Sequence, residues 1–76
     1  MTDERRLRWQ CRRGMRELDV LLTRYLENDY PTACEDDKQA FGRLLDLTDP
    51  ELAGYLLKGG RSADPGIDRI LQQLRG

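Results

Sequence analysis

The chain contains no histidine, and this absence removes more chemistry than any other feature of its 76 residues. Imidazole supplies the usual general base near neutral pH, so the commonest route to acid-base or nucleophilic catalysis is missing. Cysteine does not fill the gap. Cys11 and Cys34 have no CxxC spacing and no imidazole to activate them, so a zinc site, a redox dithiol and thiol catalysis are not expected. Free thiols in a reducing compartment are the expected state. Valine and isoleucine are almost absent too: Val20, Ile67 and Ile70 are the only ones, and no segment alternates apolar and polar residues. A sheet is therefore not expected. No apolar run approaches the roughly 18 residues of a membrane span. Met1 to Arg8 are charged with no apolar stretch behind them, and Asp3 and Glu4 sit where organelle transit peptides avoid acids. The expected location is the cytoplasm.

Glycine patterns are equally uninformative for cofactors. Lys58-Gly59-Gly60-Arg61 has neither the order nor the spacing of a phosphate loop, and no dinucleotide fingerprint is present. Glu35, Asp36 and Asp37 lack the acid and glycine alternation of a calcium loop. No catalytic residue, metal or resident cofactor is expected.

What the chain does have is charge, unevenly spread. Residues 1–17 carry Arg5, Arg6, Arg8, Arg12, Arg13 and Arg16 against Asp3, Glu4 and Glu17, a net +3, while the remainder carries −4. A positive end on an acidic body favours one orientation of a partner over generic polyanion binding. The length permits one small domain, residues 1–76.

Leu18, Leu21, Leu22, Tyr25 and Leu26 follow the i, i+3, i+4, i+7, i+8 spacing of an amphipathic helix, which we place at about Met15 to Asn28 and which should stop before Pro31. Asp3 to Arg13 reads as a shorter helix, acidic in its first turn and basic in its last, with Gly14 in the C′ position. Glu35 to Asp37 suit the start of a third helix, in which Ala40, Phe41, Leu44 and Leu45 share a face. Thr48-Asp49-Pro50-Glu51 is a capping box with a first-turn proline, opening a fourth helix with Leu52, Tyr55 and Leu56. Gly59-Gly60 closes it. Asp64-Pro65 repeats the start signal for a fifth helix carrying Ile67, Ile70, Leu71 and Leu74. The expected fold is an all-α bundle of five short helices.

One stretch remains: Arg8-Trp9-Gln10-Cys11-Arg12-Arg13-Gly14-Met15-Arg16-Glu17-Leu18-Asp19. Its plainest reading is a capped helix, a glycine turn and solvated arginines. Two features point further. Trp9 builds no convincing core stripe with Leu7 or Cys11, and a tryptophan among arginines is the composition of an interface anchor, although capping the bundle core is its alternative. Gly14 lets another backbone approach, beside a carboxylate and guanidinium groups that give directional contacts.

At these residues the sequence resembles the flavinylation assembly factors of succinate dehydrogenase, the SdhE-like (YgfY-like) family, five-helix proteins with an Arg-Gly-x-x-Glu signature. The motif stands here as Arg13-Gly14-Met15-Arg16-Glu17, flanked by Trp9, Cys11, Leu18 and Asp19, and Asp49-Pro50-Glu51-Leu52 matches a later helix start. Tyr55 stands where relatives often carry Trp. The resemblance implies an assembly factor, or chaperone, that binds the flavoprotein subunit of succinate dehydrogenase, or of the related fumarate reductase, and promotes covalent attachment of FAD. The FAD and the histidine that receives it belong to the client. It implies a partner-binding surface centred on Arg13, Gly14 and Glu17, supported by Arg8, Trp9, Arg12, Arg16 and Asp19. The free protein is expected to be a monomer that does not insert into membranes. The main rival is a helical nucleic-acid-binding domain using the N-terminal arginines, which the acidic body disfavours. An enzyme using Glu17 or Asp19 would need a pocket that so small a bundle rarely encloses.

Overall fold

The computed structural model describes residues 4–75, over which the chain forms five α-helices and one 3-10 turn. These are α1 (Glu4–Gln10), α2 (Arg16–Asn28), the 3-10 turn (Tyr30–Thr32), α3 (Glu35–Leu45), α4 (Asp49–Leu56) and α5 (Pro65–Arg75). The all-α expectation is met, with no strand among the described residues. Asp3, placed by its sequence in the first helix, lies outside them.

Helix starts follow local chemistry. At α4 the Thr48 hydroxyl accepts from the Glu51 N–H, while the Glu51 carboxylate accepts from the Thr48 N–H at 3.2 Å, completing the capping box. At α5 the Asp64 carboxylate accepts from the N–H groups of Gly66 and Ile67, at 3.0 and 3.3 Å. Neither α2 nor α3 has a capping side chain: Met15 and Cys34 hold their N-cap positions without one. Acids in the first turns, Glu17 and Asp19 in α2 and Glu35 to Asp37 in α3, oppose the helix dipole instead.

The amphipathic stripes meet in one core. Leu18, Leu22, Tyr25 and Leu26 of α2 join Ala40, Phe41, Leu44 and Leu45 of α3, Leu52 and Leu56 of α4, and Ile67, Ile70, Leu71 and Leu74 of α5. Leu21 and Tyr55, also in the sequence stripes, are only partly buried at its edge. Tyr25 and Tyr30 both pack on Phe41, with ring centroids 4.7 and 5.8 Å apart. The largest packing surface is the antiparallel α3/α5 pair. Arg69 and Arg43 tie its two ends, reaching Asp37 and Asp64 at 2.6 and 2.9 Å.

The first helix differs from its sequence reading. It ends at Gln10 rather than Arg13, and residues 11 and 12 close it in a tightening turn, through Cys11 N–H to Leu7 O and Arg12 N–H to Trp9 O. The basic residue of its last turn is Arg8. Arg12 and Arg13 are therefore linker residues, and Gly14 lies four residues past the helix end instead of at C′. Gly14 does take a left-handed backbone, φ +79°. The cause of the early stop is the pull of Arg13 toward the body of the protein. Leu7 and Cys11, one turn apart, carry the core contacts of this segment, a two-residue stripe too short to register among arginines.

Candidate functional site

Arg13 determines the shape of the loop between α1 and α2. Its N–H donates to the Asp19 carboxylate at 2.7 Å, which fastens the loop to the first turn of α2. Its guanidinium reaches the other way. Nη1 donates to Leu47 O at 3.1 Å and to the Asp49 carboxylate at 3.4 Å, and Nη2 donates to Leu45 O. These acceptors include the carbonyl of Leu45 at the end of α3, one of the groups that a helix C-terminus leaves without an intrahelical partner, and the side-chain carboxylate of Asp49, the first residue of α4. The Arg13 side chain is 16% exposed, and its Nε is buried without a partner among the described residues. Arg13 and Asp19 thus face inward or along the body, unlike the other residues of the proposed surface.

Between these two anchors Gly14 stands outward. A Cβ built on it would meet nothing within 4 Å, so the glycine is required by its positive φ and not by crowding inside the protein. Met15 packs partly against the core beneath it. Arg12, Arg16 and Glu17 are exposed around it. Trp9 is 77% exposed, which decides against the core-capping alternative for this side chain. Arg8 is also on the surface but engaged, donating to the Glu27 carboxylate at 3.0 Å.

The sequence reading passed over part of this surface. Val20 is 55% exposed and Leu57 45%, and with Arg16, Glu17 and Leu21 they line a shallow depression. Val20 also walls a second depression along α2, lined by Arg12, Gly14, Thr23 and Arg24 among others. The signal was available: Val20 falls opposite the Leu18 to Leu26 stripe, and Leu57 follows the buried Leu56 off its face. A large apolar residue on the wrong side of an amphipathic helix is unexplained by packing.

Catalytic chemistry does not converge here. Cys11, the nucleophilic side chain nearest the motif, is fully buried, and burial pushes its thiol up to about 11, so it stays protonated at neutral pH. Among the described residues no group of three His, Cys, Asp or Glu side chains is placed to hold a metal ion. No described helix is long and apolar enough to cross a membrane. The arrangement offers an exposed backbone knuckle, a carboxylate, guanidinium groups and apolar side chains on one face, which is recognition chemistry.

Comparison with known proteins finds matches over most of the chain. A family model described as the flavinator of succinate dehydrogenase matches residues 5–76. The chain is 44% identical over 71 residues to the FAD assembly factor SdhE of Shewanella oneidensis, covering 93% of this chain and 87% of that one. It is 41% identical over 70 residues to the proteins of the same name from a Serratia species and from Pectobacterium atrosepticum, covering 92% of this chain and 80% of each relative.

Proposed function

The chain belongs to the family of flavinators of succinate dehydrogenase, and from that premise we propose that it binds the flavoprotein subunit of that enzyme and promotes covalent attachment of FAD to it. It acts as an assembly factor, with no reaction centre of its own. The contact surface is centred on Gly14 and Glu17, with Trp9, Arg12 and Arg16 around them and Arg8 at its margin. Arg13 and Asp19 serve it as positioning residues.

The observation that carries this reading is Gly14 itself. It takes a left-handed conformation between Arg13 and Met15, both of which are hydrogen-bonded to Asp19, yet among the described residues nothing occupies the space above it. A position so fixed and so open suits the close approach of another backbone. Glu17, the second residue of α2, is exposed and available as an acceptor for charge-assisted hydrogen bonds from a partner. A chain without histidine has no imidazole to offer the flavin, in keeping with attachment inside the client. The factor then contributes by holding client and cofactor in a productive arrangement, an effect of orientation rather than bond chemistry.

The test is fluorescence of covalent flavin on the denatured flavoprotein subunit, after incubation with FAD and either wild-type protein, Glu17→Ala or Gly14→Arg. Wild type raises the signal and both variants lower it severalfold. Glu17→Ala keeps wild-type helicity, since Glu17 is exposed. Gly14→Arg strains the left-handed backbone at that position while meeting no packed atom among the described residues, so its helicity is checked by circular dichroism beside the flavin signal. Equal fluorescence in every lane, including one without the factor, overturns the function. Loss of fold in Glu17→Ala would make that residue structural.

A further inference from the structure

Beyond the motif, the depression along α2 carries two arginines whose side chains the described part of the fold does not use. Its lining includes two acids and two arginines: Asp19, Glu27, Arg12 and Arg24. Both acids are occupied. Asp19 accepts from the Arg13 N–H at 2.7 Å, and Glu27 accepts from Arg8 at 3.0 Å. Neither Arg12 nor Arg24 has a side-chain partner among the described residues. The groove therefore presents two guanidinium groups with no side-chain partner among the described residues, with the exposed Val20 side chain in its wall and the open face of Gly14 in its lining. Glu27 is matched by Arg8, and Asp19, bonded to a neutral amide, keeps its charge, so these five groups leave a surplus of one positive charge.

We infer that this groove docks an acidic segment of the partner polypeptide, its carboxylates meeting Arg12 and Arg24 and an apolar side chain resting on Val20. The inference rests on the docking function proposed above and extends that surface about two turns along α2, to residues outside the Arg-Gly-x-x-Glu motif. Charge complementarity selects the occupant. Guanidinium forks match carboxylates in geometry, and an acidic partner would be steered to this end and away from the acidic remainder of the molecule. A small anion would have no use for Val20, and the groove is too shallow to enclose one. Nucleic acid would have to pass an acidic body.

The experiment titrates the purified flavoprotein subunit against fluorescently labelled wild type, Arg24→Gln, the double variant Arg12→Gln/Arg24→Gln, Val20→Ser and, as a control outside the groove lining, Glu35→Gln. Circular dichroism of each variant checks the fold. At low salt, Arg24→Gln weakens binding about fivefold and the double variant about tenfold, and both differences shrink at about 300 mM salt. Val20→Ser weakens binding at both salt concentrations, and Glu35→Gln binds as wild type. A double variant that binds like wild type overturns the groove while leaving the function intact. Wild type with no affinity for the subunit overturns both. Retention of short duplex DNA by wild type at physiological salt, lost in the double variant, reassigns the groove to nucleic acid and overturns the inference.

Discussion

At the α3/α5 seam Arg43 and Arg69 each close on a carboxylate, and Arg61 and Arg75 brace the following loop, on Asp68 and on the carbonyls of Tyr55 and Gly60. On the α1/α2 side Arg12, Arg16 and Arg24 close on nothing among the described residues. One residue type thus has two uses. Where arginine is paired it joins elements distant in sequence, and where it is unpaired it is left available to another molecule. Arg13 stands on the border between them, a member of the motif whose side chain belongs to the paired set.

That contrast is broken most severely at Arg13. Arg13→Ala removes three acceptor contacts of a largely buried guanidinium and should cost about 2 to 3 kcal/mol of stability, read as a lower urea midpoint at unchanged slope. Client flavinylation should fall with it, at temperatures where the variant is still folded, because the loop carrying Gly14 loses its anchor. A variant as stable as wild type would remove Arg13 from the paired set.

A smaller effect separates the two ends directly. Arg69→Gln, which opens the 2.6 Å bridge to Asp37, should cost about 0.5 to 1 kcal/mol. Arg16→Gln should change stability by less than about 0.5 kcal/mol while weakening client binding. Equal destabilisation by both would mean that the unpaired arginines hold the fold after all.

Acid should act on the paired end first. Arg61 holds the Asp68 carboxyl below the usual carboxylate range, and Arg43 does the same for Asp64. In the unfolded chain both return to ordinary values near about 3.9. Folding therefore gains from these groups at pH above that value, where they are ionised in both states. The gain is lost as pH falls through the depressed folded values. Hydrogen exchange from about pH 5 downward should show the loop before α5 and its first turn opening before α2 does. Asp68→Asn should flatten that dependence, and an unchanged profile would place the acid-sensitive contacts elsewhere.

The sequence was most legible where one residue settles one structural question. The Thr48 to Glu51 capping box, the Asp64-Pro65 start and the Gly59-Gly60 stop all rest on local chemistry, and each stands where its residues indicated, whereas Gly14 is left-handed but not at the end of α1. The helix stripes were legible because burial repeats with the helical period. The end of α1 was not, because it depends on acceptors at Leu45, Leu47 and Asp49, more than thirty residues away along the chain. Arg13 looked like its exposed neighbours for the same reason: whether an arginine faces solvent or a helix end is decided by tertiary structure. Val20 and Leu57 sit in apolar runs beside core residues, and their place off the buried faces, visible in the helical spacing, becomes a surface only once their exposure is seen. Tyr30, just ahead of the Pro31 stop and outside every helix stripe, has its ring buried against Phe41.

The reach of Arg13 from residue 13 to the turn between α3 and α4 has a consequence for when this surface exists. A peptide copied from the Trp9 to Asp19 stretch would have the right letters and no reason to adopt the right shape. The knuckle is completed only after the chain has emerged as far as α4 and that turn has closed. Recognition would then be withheld from nascent, truncated or misfolded copies, so that competence to engage a client reports on the integrity of the whole factor.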